Sequence, residues 1–135
     1  PIGYGANCGV GASDLLRTIL AMSDVDQPST LIAKGNAGIP KYHDGHIHYD
    51  GTPALMGDYA VLARNAGAKI IGGCCGTMPE HLKAMRAALE NSDLGPRPSL
   101  DDITAAMGDF SSVSDGTDGA GPAASPRRGR RAPRA

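Results

Sequence analysis

A chain of 135 residues is long enough for one domain with a buried core, or for part of a larger domain. Its formal net charge of -1 conceals an asymmetry, because residues 1–121 carry 8 basic and 14 acidic residues while the last 14 residues add five arginines. The acidic excess in residues 1–121 argues against a nucleic-acid partner. The lack of any apolar run near 18 residues argues against a membrane helix.

The first half of the chain alternates between strand and helix signals. Residues 1–8 are predicted to end a strand, and a glycine turn follows. Ser13 and Asp14 are predicted to cap a helix over 15–22, where apolar residues recur with helical spacing. A second short strand is predicted over 30–34, and the residues from 39 to about 55 are predicted to form a long polar loop.

The second half continues the alternation. A helix is predicted over 54–66, and the apolar segment 68–73 is predicted to be a strand buried on both faces. Thr77 and Glu80 match a capping box that would begin a third helix, ending near residue 91. Three successive strand–helix pairs predict a parallel sheet covered by helices.

Three cysteines are the most informative residues. Cys8 stands in Gly5-Ala6-Asn7-Cys8-Gly9, and Cys74 and Cys75 stand in Gly72-Gly73-Cys74-Cys75-Gly76-Thr77. Adjacent cysteines rarely bond to each other, and an odd count leaves one thiol over in any disulfide scheme. Both segments follow predicted strands, and the carboxyl ends of parallel strands share one edge of the sheet. The sequence therefore predicts a metal site with three sulfur ligands and one open position.

Together with Asn36-Ala37-Gly38 and Pro79-Glu80-His81, these segments resemble the C-terminal part of the homocysteine S-methyltransferase family. Within that family they are most similar to the betaine-using members, such as betaine–homocysteine methyltransferase. The resemblance covers about residues 3–90. It implies a zinc-dependent (β/α)8 TIM barrel of which this chain holds about three βα units, the sixth to the eighth. The first five units would then lie outside this sequence.

The resemblance, together with the composition of the residues after it, predicts a division into three parts. Residues 1–93 would be a partial homocysteine-binding barrel domain, residues 94–107 a linker with a short helix, and residues 108–135 a disordered tail rich in Gly, Ser, Pro and Arg. A three-stranded piece leaves two bare sheet edges. A fragment of a longer product and assembly with another chain, including a homo-oligomer, both stay open.

The implied activity is zinc-dependent transfer of a methyl group to the thiol of homocysteine, giving methionine. Betaine is the expected donor, and S-methylmethionine and a corrinoid-bound methyl group stay open as alternatives. Cys8, Cys74 and Cys75 would hold the Zn²⁺. Three thiolates keep electron density on an incoming sulfur, which suits alkyl transfer, whereas hydrolytic zinc sites prefer His and carboxylate ligands. Asn36 is expected to orient homocysteine or to take the fourth zinc position. No catalytic residue is expected beyond the zinc ligands.

Several alternatives accompany this interpretation. The thiols could be buried structural cysteines, and His43, His46 and His48 could form a separate metal site, although a polar surface loop also accounts for them. His81 is expected to be a solvated surface residue. The chain could also be a truncated, inactive product or a structural or redox zinc module. Free thiols and the lack of a signal-peptide pattern at residue 1 favour the cytoplasm.

Overall fold

The computed structural model describes residues 1–9, 11–25 and 28–111, and every structural statement below refers to these residues. In chain order the elements are β1 (Gly3–Asn7), α1 (Ala12–Ser23), β2 (Thr30–Gly35), β3 (Pro40–His43), β4 (His46–Tyr49), α2 (Pro53–Asn65), β5 (Ile70–Gly73), α3 (Pro79–Glu90) and α4 (Leu100–Met107).

The predicted mixed α/β fold with a parallel sheet is confirmed. β1, β2 and β5 form a three-stranded sheet in the order β1-β2-β5, with every pair parallel. Ala33 in the middle strand pairs with Ala6 on one side and with Ile71 on the other. All three strands therefore end at the same edge, which is where both cysteine segments begin. The closed (β/α)8 barrel stays a prediction of the resemblance.

The core is aliphatic and lies between the sheet and the helices. Its largest fully buried apolar side chains come from α1, α2 and α4: Leu16, Ile19, Met56, Tyr59 and Ile103. Along β2 the buried residues alternate with partly buried or exposed ones, so the described helices cover one face of the sheet. Burial of the third strand on both faces was a wrong expectation, because Ile70 of β5 is 53 % exposed.

The N-terminus of α1 differs from its prediction. The N-cap is Gly11, which has no side chain to cap the helix, and Ser13 and Asp14 lie inside the first turn. Asp14 instead accepts hydrogen bonds from Arg17 at 3.3 Å and from the backbone N–H of Ser111 at 3.1 Å. A capping residue was predicted there because Asp and Ser are common caps, but tertiary contacts use these two side chains.

The predicted loop after β2 contains a β-hairpin. β3 and β4 pair antiparallel, with His43 opposite His46. The two turn residues, Asp44 and Gly45, both have positive φ, 49° and 79°, as a type I′ turn requires. The Asp-Gly pair was the available signal, since this dipeptide is typical of two-residue hairpin turns.

The start of α3 also differs from its prediction. Its N-cap is Met78 rather than Thr77, and the backbone N–H of Met78 donates to Nδ1 of His81 at 3.0 Å. Glu80 lies in the first turn of the helix. The capping function therefore falls to a histidine, which the capping-box pattern does not describe.

The segment after α3 folds back onto the rest of the molecule. The short helix predicted within residues 94–107 is α4; Ser99 is its N-cap, and Ile103 is fully buried. Phe110 lies under the guanidinium of Arg17, with the Arg17 Cζ 4.4 Å from the ring centroid. Residues 108–111, assigned by the sequence to a disordered tail, thus contact α1, and the rest of that tail, 112–135, lies outside the described residues. The three-part division stays a prediction.

Among the described residues, no helix combines the length and the apolar character that a membrane crossing needs.

Candidate metal centre

The sulfurs of three cysteines meet at the carboxyl edge of the sheet. The Sγ of Cys8 lies 3.6 Å from the Sγ of Cys75, which in turn lies 3.9 Å from the Sγ of Cys74. All three Sγ atoms lie within 4.8 Å of one another. In the described part of the chain, this is the one group of three or more potential metal ligands at such spacing. Residues 67 positions apart are therefore brought together as the sequence pattern indicates.

The distances fit a shared metal ion better than a disulfide. A disulfide bond would bring two sulfurs to about 2.04 Å. A tetrahedral zinc with Zn–S bonds of about 2.3 Å places its sulfur ligands roughly 3.8 Å apart. The two short Sγ–Sγ separations bracket this value, and the three cysteines are free thiols. The donor set and its spacing thus suit a thiolate-preferring ion such as Zn²⁺.

Cys8 is positioned by an unusual backbone. Its N–H donates to the carbonyl of Lys34 at 3.0 Å, which extends the β1–β2 pairing by one residue. The Cys8 φ is then +63°, in the left-handed region that non-glycine residues rarely adopt, and Gly9 follows with φ +81°. This reversal ends the strand at the cysteine. Such a conformation costs about 1–3 kcal/mol and is enriched at functional sites.

Cys74 and Cys75 are held by the middle strand. The N–H of Cys74 donates to the carbonyl of Gly35 at 2.8 Å, and the carbonyl of Cys75 accepts from the N–H of Ala37 at 2.9 Å. A tight turn follows, in which the N–H of Thr77 donates to the carbonyl of Cys74 at 3.2 Å. The cysteine pair is therefore fixed to the end of β2, beside which Cys8 also lies.

Asn36 links the two cysteine segments. Its side chain is 1 % exposed, its Nδ2 donates to the carbonyl of Gly9 at 3.2 Å, and its Oδ1 accepts from the N–H of Cys75 at 3.1 Å. A single amide thus holds the turn after Cys8 and the turn at Cys75 at a fixed separation. Sequence reasoning placed Asn36 at this site, and the structure adds that its amide connects the two segments.

The sulfurs alter one another's ionisation. Hydrogen bonds from the thiols of Cys75 and Cys74, then one from the Gly9 backbone, lower the pKa of Cys8. The pKa of Cys75 is raised, first by its hydrogen bonds to Cys8 and Cys74 and then by their negative charge. Cys8 is therefore the first of this pair to become a thiolate, and the other thiols stabilise it. Thiolates are the form that binds metal.

The surroundings of two further residues differ from what the sequence indicates. Tyr49, at the end of β4, packs against Gly76, where an added Cβ would lie 2.3 Å from the tyrosine Cγ. His81 is half-buried rather than solvated: Nδ1 accepts from Met78, so the neutral ring carries its proton on Nε2, which donates to the carbonyl of Gly51 at 2.8 Å. The Asp-Gly hairpin signal was the one clue to Tyr49.

The other histidines do not converge on a ligand geometry. His43, His46 and His48 are exposed on the hairpin, and the rings of His43 and His48 lie edge to face with centroids 6.4 Å apart. Together with the cysteine geometry, this leaves the sulfur cluster as the candidate centre within the described residues.

Comparison with known families agrees with this geometry. A family model described as Homocysteine S-methyltransferase matches residues 1–89. The chain belongs to this family. The match covers β1 through nearly all of α3 and includes all three cysteines together with Asn36 and Tyr49. Membership assigns methyl transfer to homocysteine as the family chemistry, and the cysteine cluster is a group able to bind metal.

Proposed function

We propose that Cys8, Cys74 and Cys75 hold a Zn²⁺ ion and that this centre serves methyl transfer from betaine to the thiol of homocysteine, giving methionine. The observation that carries the proposal is the meeting of three thiols within 4.8 Å, at the edge of a parallel sheet, in a member of the homocysteine S-methyltransferase family. Bound there, Zn²⁺ would supply a Lewis acid with one position open for a sulfur ligand.

The three cysteines supply negative charge around the ion, and Asn36 fixes their positions. Three thiolates around a divalent cation give a net charge of -1, which keeps electron density on a fourth sulfur and attracts a donor whose methyl group is attached to a cationic centre. Asn36 holds the two cysteine segments together through its bonds to Gly9 and Cys75. We expect its contribution to homocysteine binding to act through this placement of the thiols.

The test combines metal content with turnover. The purified chain is analysed for zinc, and methionine formation from homocysteine is measured with betaine, with S-methylmethionine and without a donor. We expect about one zinc per chain in the parent and at least a tenfold loss of zinc affinity in Cys74→Ser, because one of three ligands is replaced by a poor one. Unchanged zinc binding in Cys74→Ser would contradict the assignment of the three cysteines as metal ligands.

A second candidate is a metal-binding unit without turnover. It is favoured by the open face of the described sheet, where Ile70 of β5 is 53 % exposed. Stoichiometric zinc without methionine formation from either donor would support it. Methionine formation with S-methylmethionine but not with betaine would support a methyltransferase that uses S-methylmethionine instead of betaine as the donor.

A further inference from the structure

The residues that follow the family match form a strap across the molecule. The match ends at residue 89, whereas the chain continues into α4 and on to residue 111. We call residues 99–111 the C-terminal strap. α4 packs against both α1 and α2; its Ile103 is fully buried, and Met107 and Phe110 are partly buried against the core. The strap is therefore part of the fold of this chain, although it lies beyond the residues that the family model matches.

The end of the strap binds the first turn of α1. The Asp14 carboxylate accepts the backbone N–H of Ser111, at 3.1 Å to one oxygen and 3.2 Å to the other. The hydroxyl of Ser13 donates to the carbonyl of Asp109 at 3.3 Å. Ser13 and Asp14 are only 5 % and 8 % exposed. Both polar side chains of this turn are thus buried, and both are bonded to the strap.

Arg17 adds a second link between α1 and the strap. Its Nη2 donates to Asp14 at 3.3 Å, and its guanidinium lies over the ring of Phe110, with Cζ 4.4 Å from the centroid. Arg17 is buried, as Asp14 is. A buried charged group is costly to leave short of hydrogen bonds. Loss of the Ser111 N–H from Asp14 should therefore favour separation of the strap from α1.

The start of α1 in turn limits where Cys8 can lie. Residues 9–11 alone join Cys8 to α1, and Gly11 gives the helix no side-chain cap. A cavity of about 190 Å³, lined on one side by Cys8 and on the other by Asp14, separates the Cys8 turn from the helix. Packing thus leaves the turn room to move, and a link of three residues passes a displacement of α1 on to Cys8. The Cys74–Cys75 turn is instead bonded to the end of β2.

We propose that the C-terminal strap is a positioning element of the cysteine centre and that Asp14 is the residue through which it acts. Bound to Ser111, Asp14 fixes the first turn of α1 and so keeps the sulfur of Cys8 close to the Cys74–Cys75 pair. When the strap separates from α1, the Cys8 turn loosens, whereas the Cys74–Cys75 turn keeps its bonds to β2. The inference rests on the proposed function only in assuming that the three sulfurs bind one metal ion.

The test removes a single backbone donor from the strap. Ser111→Pro lacks the N–H that binds Asp14, and Ser111→Ala is the matched control because it keeps that N–H. Hydrogen exchange is compared by mass spectrometry in the metal-free, full-length chains. In Ser111→Pro we expect exchange about 10-fold faster in residues 8–19, because the start of α1 opens more often, and unchanged in residues 70–77. Ser111→Ala should exchange like the parent.

Metal affinity is the second measurement, with Co²⁺ as the probe. It should fall by about 10-fold in Ser111→Pro and stay at the parental value in Ser111→Ala. Phe110→Ala, which removes the ring under Arg17, should lower affinity and speed exchange in the same way, and it replaces Ser111→Pro if proline prevents folding.

Parental exchange in residues 8–19, equal acceleration in both segments, or parental Co²⁺ affinity in the strap variants overturns the inference. Equal acceleration would mean that the strap stabilises the whole fold and has no separate effect on the Cys8 turn. Failure of the parent to bind Co²⁺ or Zn²⁺ would instead remove the proposed function, while the exchange comparison would still decide whether the strap holds the Cys8 turn.

Discussion

Replacing Asn36 by alanine tests how the two cysteine segments are held together. The change removes one hydrogen bond to the Gly9 carbonyl and one from the Cys75 N–H. A buried backbone group left without its partner costs about 1–3 kcal/mol. Two such groups, the Gly9 carbonyl and the Cys75 N–H, lose their partner here. Since both lie in exposed turns that water can partly reach, we expect the sum of their costs to lie near its lower end. The predicted loss is about 2 kcal/mol in the free energy of unfolding.

Equilibrium unfolding in urea, monitored on the metal-free chain, measures this loss. The midpoint should fall while the slope with denaturant stays constant, because the area exposed on unfolding is nearly unchanged. Asn91→Ala is the matched control. Asn91 is an exposed residue at the end of α3, and its replacement should alter stability by less than about 0.5 kcal/mol. Zinc affinity of Asn36→Ala should fall by about 10-fold or more, since the thiols lose their fixed separation.

An Asn36→Ala chain that unfolds at the parental urea concentration is the outcome that contradicts this prediction. In that case the amide does not hold the Gly9 and Cys75 turns together. Normal zinc content and normal methyl transfer in the same variant would also remove any role of Asn36 in placing homocysteine.

Three further outcomes are expected. In the metal-free chain, iodoacetamide should alkylate Cys8 at lower pH than Cys75, because the pKa of Cys8 is lowered and that of Cys75 is raised. In Cys75→Ala, the pH dependence of Cys8 alkylation, followed by peptide mass spectrometry, should move to higher pH. Tyr59→Phe should destabilise the fold by about 1–3 kcal/mol in urea, because the buried hydroxyl accepts a backbone N–H of β2 at 2.9 Å. Ile103→Ala should cost about 2–5 kcal/mol by leaving a cavity, whereas Leu100→Ala on the same helix, at a site 48 % exposed, should cost less than 1 kcal/mol.

The sequence predicted the sheet and its edge because these follow from patterns that act locally. Short apolar runs, glycine turns and helical spacing define each strand–helix pair, and the parallel arrangement follows from their alternation. This alternation also predicts that Cys8 and the Cys74–Cys75 pair lie at the same edge of the sheet, whatever their separation along the chain. The close approach of their sulfurs depends in addition on the order β1-β2-β5 and on the turns that follow the strands.

The N-caps of α1 and α3 were predicted wrongly because local and tertiary contacts compete for the same side chains. Asp14 has the chemistry of a helix cap, yet its carboxylate accepts from Arg17 in the next turn and from the backbone of Ser111, nearly a hundred residues away. His81 caps α3 with one ring nitrogen while its other nitrogen donates to the carbonyl of Gly51, thirty residues away. The distant partners, Ser111 and Gly51, cannot be predicted from the residues near Asp14 and His81. Asp44-Gly45 was a readable signal that the surrounding polar residues concealed.

The position of Asn36 follows from the order of the strands. Strands in a sheet lie about 4.8 Å apart, so β1 and β5, with β2 between them, are separated by about 10 Å. The sulfurs that follow these outer strands nevertheless lie within 4.8 Å of one another, so their side chains must turn inward over the end of the middle strand. The residue that follows β2 is the one that can reach both sides. An amide at that place, with one donor and one acceptor end, meets a carbonyl on the Cys8 side and an N–H on the Cys75 side, which a carboxylate or a hydrocarbon of the same size would not do.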